Sequence, residues 1–378
     1  MNEKSKVFFT TLRTTGSHNI LQKLKKLVLA AGLGDIDLDN KFAAIKIHLG
    51  EPGNLAYLRP NFSKVIVDIV KSQGGKPFLT DCNTLYVGRR KDALEHMDAA
   101  YENGYNPFVT GCHVIIADGL KGTDDLEVPL EGGDYVTEAK IGRAIMDADV
   151  FISMTHFKGH EATGFGGTLK NIGMGSGSRR GKVEMHSASK PFIKAEKCRS
   201  CKMCSKICAF SAISYSDDDG KASINHNKCV GCGRCMGICS FDAIAVPFDQ
   251  SNDVLNKKIA EYAKATINGR PQFHVSFVID VSPYCDCHVE NDIPIIQDVG
   301  IFASCDPVAL DVACAEACNK APIIKGSYLE DQIEHNHVQD PEDKDRFTVT
   351  HPDTNWEVCV EHAVKLGMGN KEYEIVEV

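Results

Sequence analysis

The stretches CRSCKMCSKIC (residues 198–208) and CVGCGRCMGIC (residues 229–239) contain eight cysteines at two copies of one spacing. In each stretch three cysteines follow at intervals of three residues, and a fourth comes four residues later. This is the spacing of bacterial two-cluster ferredoxins, in which three thiolates bind one cluster and the fourth binds the other. The two copies also repeat as whole segments, since CAFSAI (208–213) matches CSFDAI (239–244).

The spacing therefore predicts two [4Fe–4S] clusters whose fourth ligands are exchanged between the two stretches. The predicted ligand sets are Cys198, Cys201, Cys204 and Cys239 for the first cluster, and Cys229, Cys232, Cys235 and Cys208 for the second. Ala209 and Ser240 stand where ferredoxins carry a proline, which changes the expected turn but not the ligands. Two structural zinc ions, each held by four thiolates, are the alternative, and the triple spacing favours the cubane.

The composition of the 378-residue chain is that of a globular protein, with 43% hydrophobic and 25% charged residues. A net charge of −9 argues against nucleic acid as a partner. No apolar run approaches the roughly 18 residues that span a bilayer, and the N-terminus lacks the apolar core of a signal peptide, so no membrane is expected. The length and cluster spacing argue against a secreted disulfide scaffold, so we expect a reducing cytoplasm, such as that of an anaerobe.

Outside the cysteine stretches, short apolar runs alternate with helical periods, which predicts an α/β domain with a mostly parallel sheet. A helix is predicted to begin at Asp306 as N-cap and Pro307 in the first turn. Strands are predicted at residues 7–10, 42–47, 76–80, 114–117, 150–153 and 273–281. We expect an α/β host domain (residues 1–189 and 249–378) interrupted by an α+β ferredoxin-like domain (residues 190–248). Two separate flanking domains are the alternative.

The glycine-rich segment HFKGHEATGFGGTLKNIGMG (residues 156–175) follows a predicted strand, where ligands collect in open α/β sheets. We expect the catalytic residues to be His156, Lys158, His160 and Lys170. The histidines, on one helical face or across a loop, can ligate a metal, while the glycines and lysines suit a small anionic substrate. Neither the P-loop nor the G-x-G-x-x-G pattern is present. The alternative is a loop that packs the inserted domain onto its host.

The segment DVSPYCDCH (residues 280–288) ends another predicted strand and carries two thiols and an imidazole. Such groups can converge on a soft or borderline metal ion. With a histidine that follows strand 42–47, they are predicted to form an additional metal site: Cys285, Cys287, His288 and His48. A metal-free reactive site and a structural role are the alternatives. Since all these segments follow strands, we expect them to converge with the 156–175 loop.

Two further groups of residues are expected to be structural. The short basic cluster of Arg179, Arg180 and Lys182 is interpreted as a solvated surface. Isolated cysteines are usually small buried hydrophobic residues, and this is predicted for Cys82, Cys112, Cys314, Cys318 and Cys359.

These stretches together resemble a family of uncharacterised iron–sulfur centre proteins, a domain of unknown function that carries an inserted bacterial-type ferredoxin module. The matching residues are 46–51, 78–81, 156–160, 166–175, 285–288 and 304–309. The resemblance covers nearly the whole chain and implies the two-cluster module and an α/β host, but no substrate. More distantly, the host is similar to the N-terminal domain of nickel-dependent lactate racemase-type proteins.

We predict a cytoplasmic iron–sulfur oxidoreductase in which the ferredoxin module carries electrons between a partner protein and a site in the α/β domain. A non-catalytic electron-transfer adaptor and a metal or cofactor assembly factor are the alternatives. A stoichiometric metal beyond the two cubanes favours the enzyme, a loosely held metal favours the assembly factor, and none favours the adaptor. No flavin fingerprint is visible.

Overall fold

The computed structural model describes residues 4–85 and 88–378 of the chain. Its strands are β1 (Ser5–Thr11), β2 (Phe42–Lys46), β3 (Lys76–Asp81), β4 (Val114–Ile116), β5 (Asp125–Pro129), β6 (Glu138–Gly142), β7 (Val150–His156), β8 (Lys158–His160), β9 (Gly164–Gly166), β10 (Phe192–Ile193), β11 (Ile213–Tyr215), β12 (Ala222–Ile224), β13 (Ile244–Ala245), β14 (Gln272–Val278), β15 (Gly300–Ser304) and β16 (Tyr373–Glu377). Its α-helices are α1 (Ile20–Ala30), α2 (Pro60–Ser72), α3 (Ala93–Glu102), α4 (Pro107–Thr110), α5 (Arg143–Met146), α6 (Thr168–Ser176), α7 (Arg179–His186), α8 (Met203–Ile207), α9 (Arg234–Ile238), α10 (Asn252–Ile267), α11 (Pro307–Lys320), α12 (Tyr328–His335), α13 (Arg346–Thr350) and α14 (Glu357–Lys365).

The central sheet has eight strands in the order β16-β1-β15-β14-β7-β2-β3-β4. Five of its seven pairings are parallel, and β15 is antiparallel to both of its neighbours, β1 and β14. The α/β class with a mostly parallel sheet is therefore confirmed. All six predicted strands belong to this sheet, as β1, β2, β3, β4, β7 and β14.

Helices cover both faces of the sheet, which explains why its central strand β7 is buried along its whole length. One face packs against α1 and α2 through residues such as Leu24 and Ile66. The other face packs against α6, α10 and α11. Helices α6 and α10 approach closely, since a Cβ atom on Gly173 would lie 2.1 Å from the carbonyl oxygen of Ile259. A glycine is therefore required at this contact.

The predicted start of α11 is confirmed by its capping contacts. The Asp306 Oδ1 atom accepts hydrogen bonds from the backbone N–H groups of Val308, at 2.8 Å, and Ala309, at 2.9 Å. Pro307 occupies the first turn, where its missing N–H group leaves no hydrogen bond unmade.

Residues 190–248, here called the cysteine-rich unit, lie between α7 and α10 of the host. The unit contains the helices α8 and α9, the antiparallel pair β11–β12 and the antiparallel pair β10–β13. Its two halves repeat in backbone conformation as well as in sequence. Helix α8 begins after Lys202 at φ 62°, and α9 begins after Gly233 at φ 68°, both left-handed positions 31 residues apart.

The cysteine-rich unit is attached to the host by two basic side chains. Lys91 Nζ donates to the carbonyl oxygen of Cys239 at 3.3 Å and pairs with Asp242. The Arg179 side chain, which is 1% exposed, lies against Gly237 and donates to the carbonyl oxygen of Lys91. The buried Arg179 side chain therefore contacts both the host and the cysteine-rich unit.

Among the described residues, no helix combines the length and apolar character that crossing a lipid bilayer requires.

Candidate functional site

A cavity of about 640 Å³ lies where β2, β3, β7 and β14 end. This is the edge of a parallel sheet at which ligands usually bind. The charged, imidazole and thiol side chains that line it are Lys46, His48, Asp81, Cys82, Arg90, Lys158, Lys170, Lys182, His186, Cys285 and Cys287. Five of these residues are lysine or arginine, whereas Asp81 is the one carboxylate in the group.

The cavity brings together residues from all three segments that the sequence singled out. His48 follows β2, Lys158 and Lys170 belong to the glycine-rich segment, and Cys285 and Cys287 follow β14. The three segments therefore meet at one sheet edge.

Three of the other predicted site residues lie outside the cavity. His156 ends β7 and is 2% exposed, with its Nδ1 atom 2.8 Å from Asp286 Oδ1 and its Nε2 atom 2.9 Å from the Ile279 carbonyl oxygen. His160 lies in β8, and its Nδ1 atom accepts from the backbone N–H group of Ala162 at 3.1 Å. The proposed shared helical face is thus wrong, because both histidines lie on strands.

His288, predicted as a metal ligand, is half-buried, and its Nε2 atom lies 3.0 Å from Glu161 Oε1. The other three residues of that predicted site, His48, Cys285 and Cys287, line the cavity. Within residues 4–85 and 88–378, no three His, Cys, Asp or Glu side chains lie close enough together to hold a single metal ion, and this includes the residues of the predicted site. The additional metal site stays a prediction.

Lys46 and Asp81 form a buried ion pair on the cavity wall. Lys46 Nζ lies 3.0 Å from Asp81 Oδ1 and donates to Asn171 Oδ1 at 2.9 Å. Burial lowers the pKa of Lys46 despite the neighbouring carboxylate. Burial alone would raise the pKa of Asp81, but the charges of Lys46, His96 and Arg90 lower it. Gly175 leaves room for this pair, since a Cβ atom there would lie 2.5 Å from Lys46 Nζ.

Arg90 is held in a fixed orientation beside His48. Its Nε atom donates to Glu51 Oε2 at 2.8 Å, and its Nη1 atom lies 3.1 Å from His48 Nε2. Burial, together with the charges of Arg90 and Lys158, lowers the pKa of His48 well below its usual value. His48 is therefore neutral at physiological pH.

The two thiols that follow β14 lie in a tight turn. The backbone N–H group of His288 donates to the Cys285 carbonyl oxygen at 3.0 Å, which closes the turn. Lys170 Nζ donates to Cys285 Sγ at 3.4 Å. A hydrogen bond with Cys287 and the charge of Lys170 lower the pKa of Cys285 well below that of an ordinary thiol. The hydrogen bond to Cys285 and burial raise the pKa of Cys287. Of the two thiols, Cys285 is therefore the one that ionises more readily.

Asp286, between these two cysteines, fixes the turn to the sheet. Its side chain is fully buried, with His156 Nδ1 at 2.8 Å from Oδ1 and Lys158 Nζ at 3.4 Å from Oδ2. Burial alone would raise the pKa of Asp286, but the charges of His156 and Lys158 hold it well below the usual range. His156 thus acts on the site by positioning the turn.

The glycine-rich segment does not offer free amides at the start of α6. Asp311 Oδ1 accepts from the Thr168 N–H group at 2.6 Å, and its Oδ2 atom accepts from Leu169 at 2.9 Å. Burial raises the pKa of Asp311 to about 6. The expected backbone approach to an anion is therefore wrong at this helix end, because a carboxylate already occupies it.

Two smaller cavities lie in the cysteine-rich unit, and each contains four cysteines. One of about 350 Å³ is lined by Cys198, Cys201, Cys204 and Cys239. The other, of about 360 Å³, is lined by Cys208, Cys229, Cys232 and Cys235. Each cavity thus combines three cysteines of one stretch with the fourth cysteine of the other stretch.

Backbone amides donate hydrogen bonds to sulfurs in both cysteine cavities. Ala243 N donates to Cys239 Sγ at 3.4 Å, and Ala212 N, at the matching position of the other half, donates to Cys208 Sγ at 3.3 Å. Such donors stabilise negative charge on cluster thiolates. The donor set and its surroundings therefore fit a [4Fe–4S] cluster in each cavity.

The large cavity and the first cysteine cavity are joined by apolar packing. Leu85 lines the large cavity and belongs to the same buried cluster as Cys198 and Cys239. Val183, beside the cavity residue Lys182, belongs to that cluster too. The two sites are therefore connected through one buried apolar cluster.

Several cavity residues were missed in the sequence. Lys182 and Arg179 were interpreted as surface, but both are buried, at 7% and 1% exposure. The isolated cysteines are buried as predicted, and Cys82 also lines the cavity. Asp81 carried a usable signal, because it directly follows a predicted strand. Arg90 carried none, since it lies in an irregular loop.

Comparison with known proteins identifies a family for this chain. No curated protein matches the sequence. Two solved structures are similar at low identity. The lactate racemase apoprotein from Thermoanaerobacterium thermosaccharolyticum is 14% identical, with 99% of this chain and 83% of that chain covered and a TM-score of 0.35. A crystal structure of a protein from Thermotoga maritima is 12% identical, with 95% and 86% covered and a TM-score of 0.42. Nothing about function is carried over from either.

A family described as "Domain of unknown function (DUF362)" matches residues 43–316, which span the central strands, the cavity and the whole cysteine-rich unit. The chain belongs to this family.

Proposed function

We propose that the chain is an iron–sulfur redox protein with two [4Fe–4S] clusters that exchange electrons with a substrate site in the α/β host. The observation that carries the proposal is the pair of cysteine cavities, each lined by three cysteines of one stretch and one of the other. Sequence spacing and spatial grouping thus favour the same two ligand sets. When bound, the clusters supply single-electron transfer.

The chain's own residues prepare both sites for this role. Backbone amides such as those of Ala212 and Ala243 stabilise thiolate charge in the cysteine cavities. In the large cavity, buried lysines and Arg90 attract an anion, and Leu85 separates that space from the first cysteine cavity with apolar atoms.

The large cavity favours an oxidoreductase over an electron-transfer adaptor. An adaptor needs a docking surface and a cluster near it, whereas buried charges are costly and are usually retained at sites of chemistry. Lys46, Lys158 and Cys285 are buried around this cavity, and the partly buried Lys170 contacts Cys285. We therefore assign the substrate site to the cavity.

Iron and labile sulfide in anaerobically purified protein test the proposal. We expect about eight of each per chain, and a paramagnetic signal of reduced cubanes after treatment with dithionite. The matched control is Cys305→Ser, because Cys305 is exposed and lines neither cysteine cavity. Zinc without sulfide, or loss of iron in the control, would contradict the proposed clusters.

A further inference from the structure

The cavity contains one buried lysine that lacks an anionic partner. Lys46 is paired with Asp81, and Lys158 with Asp286. Lys182 is 7% exposed, and in the described part of the chain no carboxylate lies within ion-pair distance of its Nζ atom, which donates to the Gly177 carbonyl oxygen at 2.5 Å. Asp81 and Asp118 interact with the Lys182 charge only from beyond ion-pair distance, and a buried charge without a direct partner is costly, so the cavity favours an anion near Lys182.

Arg90 provides a second unmet donor in the same cavity. The side chain is 1% exposed, and two of its nitrogens are fixed by Glu51 and His48. Its Nη2 atom has no acceptor among residues 4–85 and 88–378. A buried guanidinium nitrogen without an acceptor loses the full value of its hydrogen bonds. A guanidinium group held in this way is oriented to receive a planar or tetrahedral oxyanion.

We propose that Arg90 and Lys182 form an anion subsite for the carboxylate or phosphate group of a small organic substrate, and that Cys285 contacts the remainder of that molecule. The inference deepens the proposed function and rests on it, since the same cavity is the substrate site. Cys285 borders the cavity, and its sulfur is held by Lys170 at 3.4 Å. The ligand class is therefore a small organic anion.

Alkylation of Cys285 by two reagents of similar size tests this subsite directly. Iodoacetate carries a carboxylate and iodoacetamide is neutral; with both, a C–S bond forms on Cys285 as the C–I bond breaks and iodide leaves. We expect iodoacetate to modify Cys285 faster than iodoacetamide, as measured by mass spectrometry of the peptide that contains it. Exposed Cys305 is the internal control, and no preference for the anion is expected there.

Variants separate the subsite from the fold. Lys182→Gln should reduce the preference for iodoacetate on the order of tenfold, the effect of one lost ion pair at close range. Lys182→Arg should keep it. The matched control is Lys258→Gln, because Lys258 is also buried but contacts Glu184 and Gln250 outside the cavity. Iron content is measured on every variant, so that a failure of the clusters is recognised separately from a failure of the subsite.

Protection experiments identify the kind of anion. Malonate or inorganic phosphate is added before iodoacetamide. If either anion slows the modification of Cys285 by iodoacetamide, the result supports the subsite. Which of the two anions protects tells a carboxylate ligand from a phosphate ligand. Three outcomes would overturn it: no preference for iodoacetate over that at Cys305, a preference that survives in Lys182→Gln, or no protection by either anion.

Discussion

Exchange of the fourth ligand between the two cysteine stretches can be tested by counting iron in double variants. Cys239 lines the first cysteine cavity, although it lies in the second stretch of sequence. Cys239→Ala removes one of four thiolates from that cavity and the acceptor of the Ala243 N–H group. We expect one cluster to be lost and the iron content to fall from about eight to about four per chain.

The second replacement decides which cluster was lost. Cys198 lines the same cavity as Cys239, so Cys198→Ala with Cys239→Ala should cost no more iron than either change alone, and about four atoms should remain. Cys229 lines the other cavity although it lies in the same stretch as Cys239, so Cys229→Ala with Cys239→Ala should leave almost none. The two pairs differ by one whole cluster.

The assay is iron and sulfide per chain after anaerobic purification, with circular dichroism to verify that each variant is folded. Cys305→Ala, which lines neither cysteine cavity, should keep about eight iron atoms. The opposite pattern, with almost all iron lost from the Cys198/Cys239 pair and about four atoms retained in the Cys229/Cys239 pair, would refute the reasoning.

Three further outcomes are expected. Gly173→Ala should lower the melting temperature, because its Cβ atom would lie 2.1 Å from the Ile259 carbonyl oxygen and such overpacking costs about 1–3 kcal/mol. The control is Gly16→Ala, because a Cβ atom at Gly16 would have no neighbour within 4 Å. Equal melting temperatures of the two variants would contradict the close contact at Gly173. Lys202→Gly should stabilise the protein against thermal unfolding by about 1 kcal/mol, because Lys202 has φ 62°, and a loss of stability would argue against this. The rate at which iodoacetamide alkylates Cys285 should change little between about pH 9 and about pH 7, because the lowered pKa of Cys285 keeps the thiolate present as the pH falls. The alkylation rate of an ordinary thiol falls about tenfold for each pH unit below its pKa. A tenfold fall of the rate at Cys285 would show that its pKa is not lowered.

The sequence was sufficient to predict six strands of the central sheet, because each of these strands has a local signature in the sequence. Each predicted run is a short apolar segment followed by polar residues, and such segments keep their character whatever lies around them. Strands β15 and β16 escaped prediction. β15 is antiparallel to both neighbours, which the alternation of strands and helices does not encode. β16 is a short strand with two glutamates that pairs only at the sheet edge.

The candidate site was predicted in part, for a physical reason that particular residues show. His48, Lys158 and Cys285 follow the strands β2, β7 and β14, and the parallel sheet places such residues at one edge. Arg90 and Lys182 reach the same cavity from a loop and from α7, and only tertiary packing brings them there. His160 followed the strand-end pattern too, but its ring caps its own hairpin instead.

The pairing of β10 with β13 makes the cysteine-rich unit a cassette with adjacent ends. Phe192 and Ala245 are directly opposite each other in that pair, so the chain leaves the host and returns to it at almost the same point. A short linker there would reconnect α7 with α10 and spare the large cavity's residues, all of which lie outside the unit. An insertion with this geometry can be exchanged in one genetic step, and host proteins that lack it, or that carry a different module at the same point, are structurally accessible.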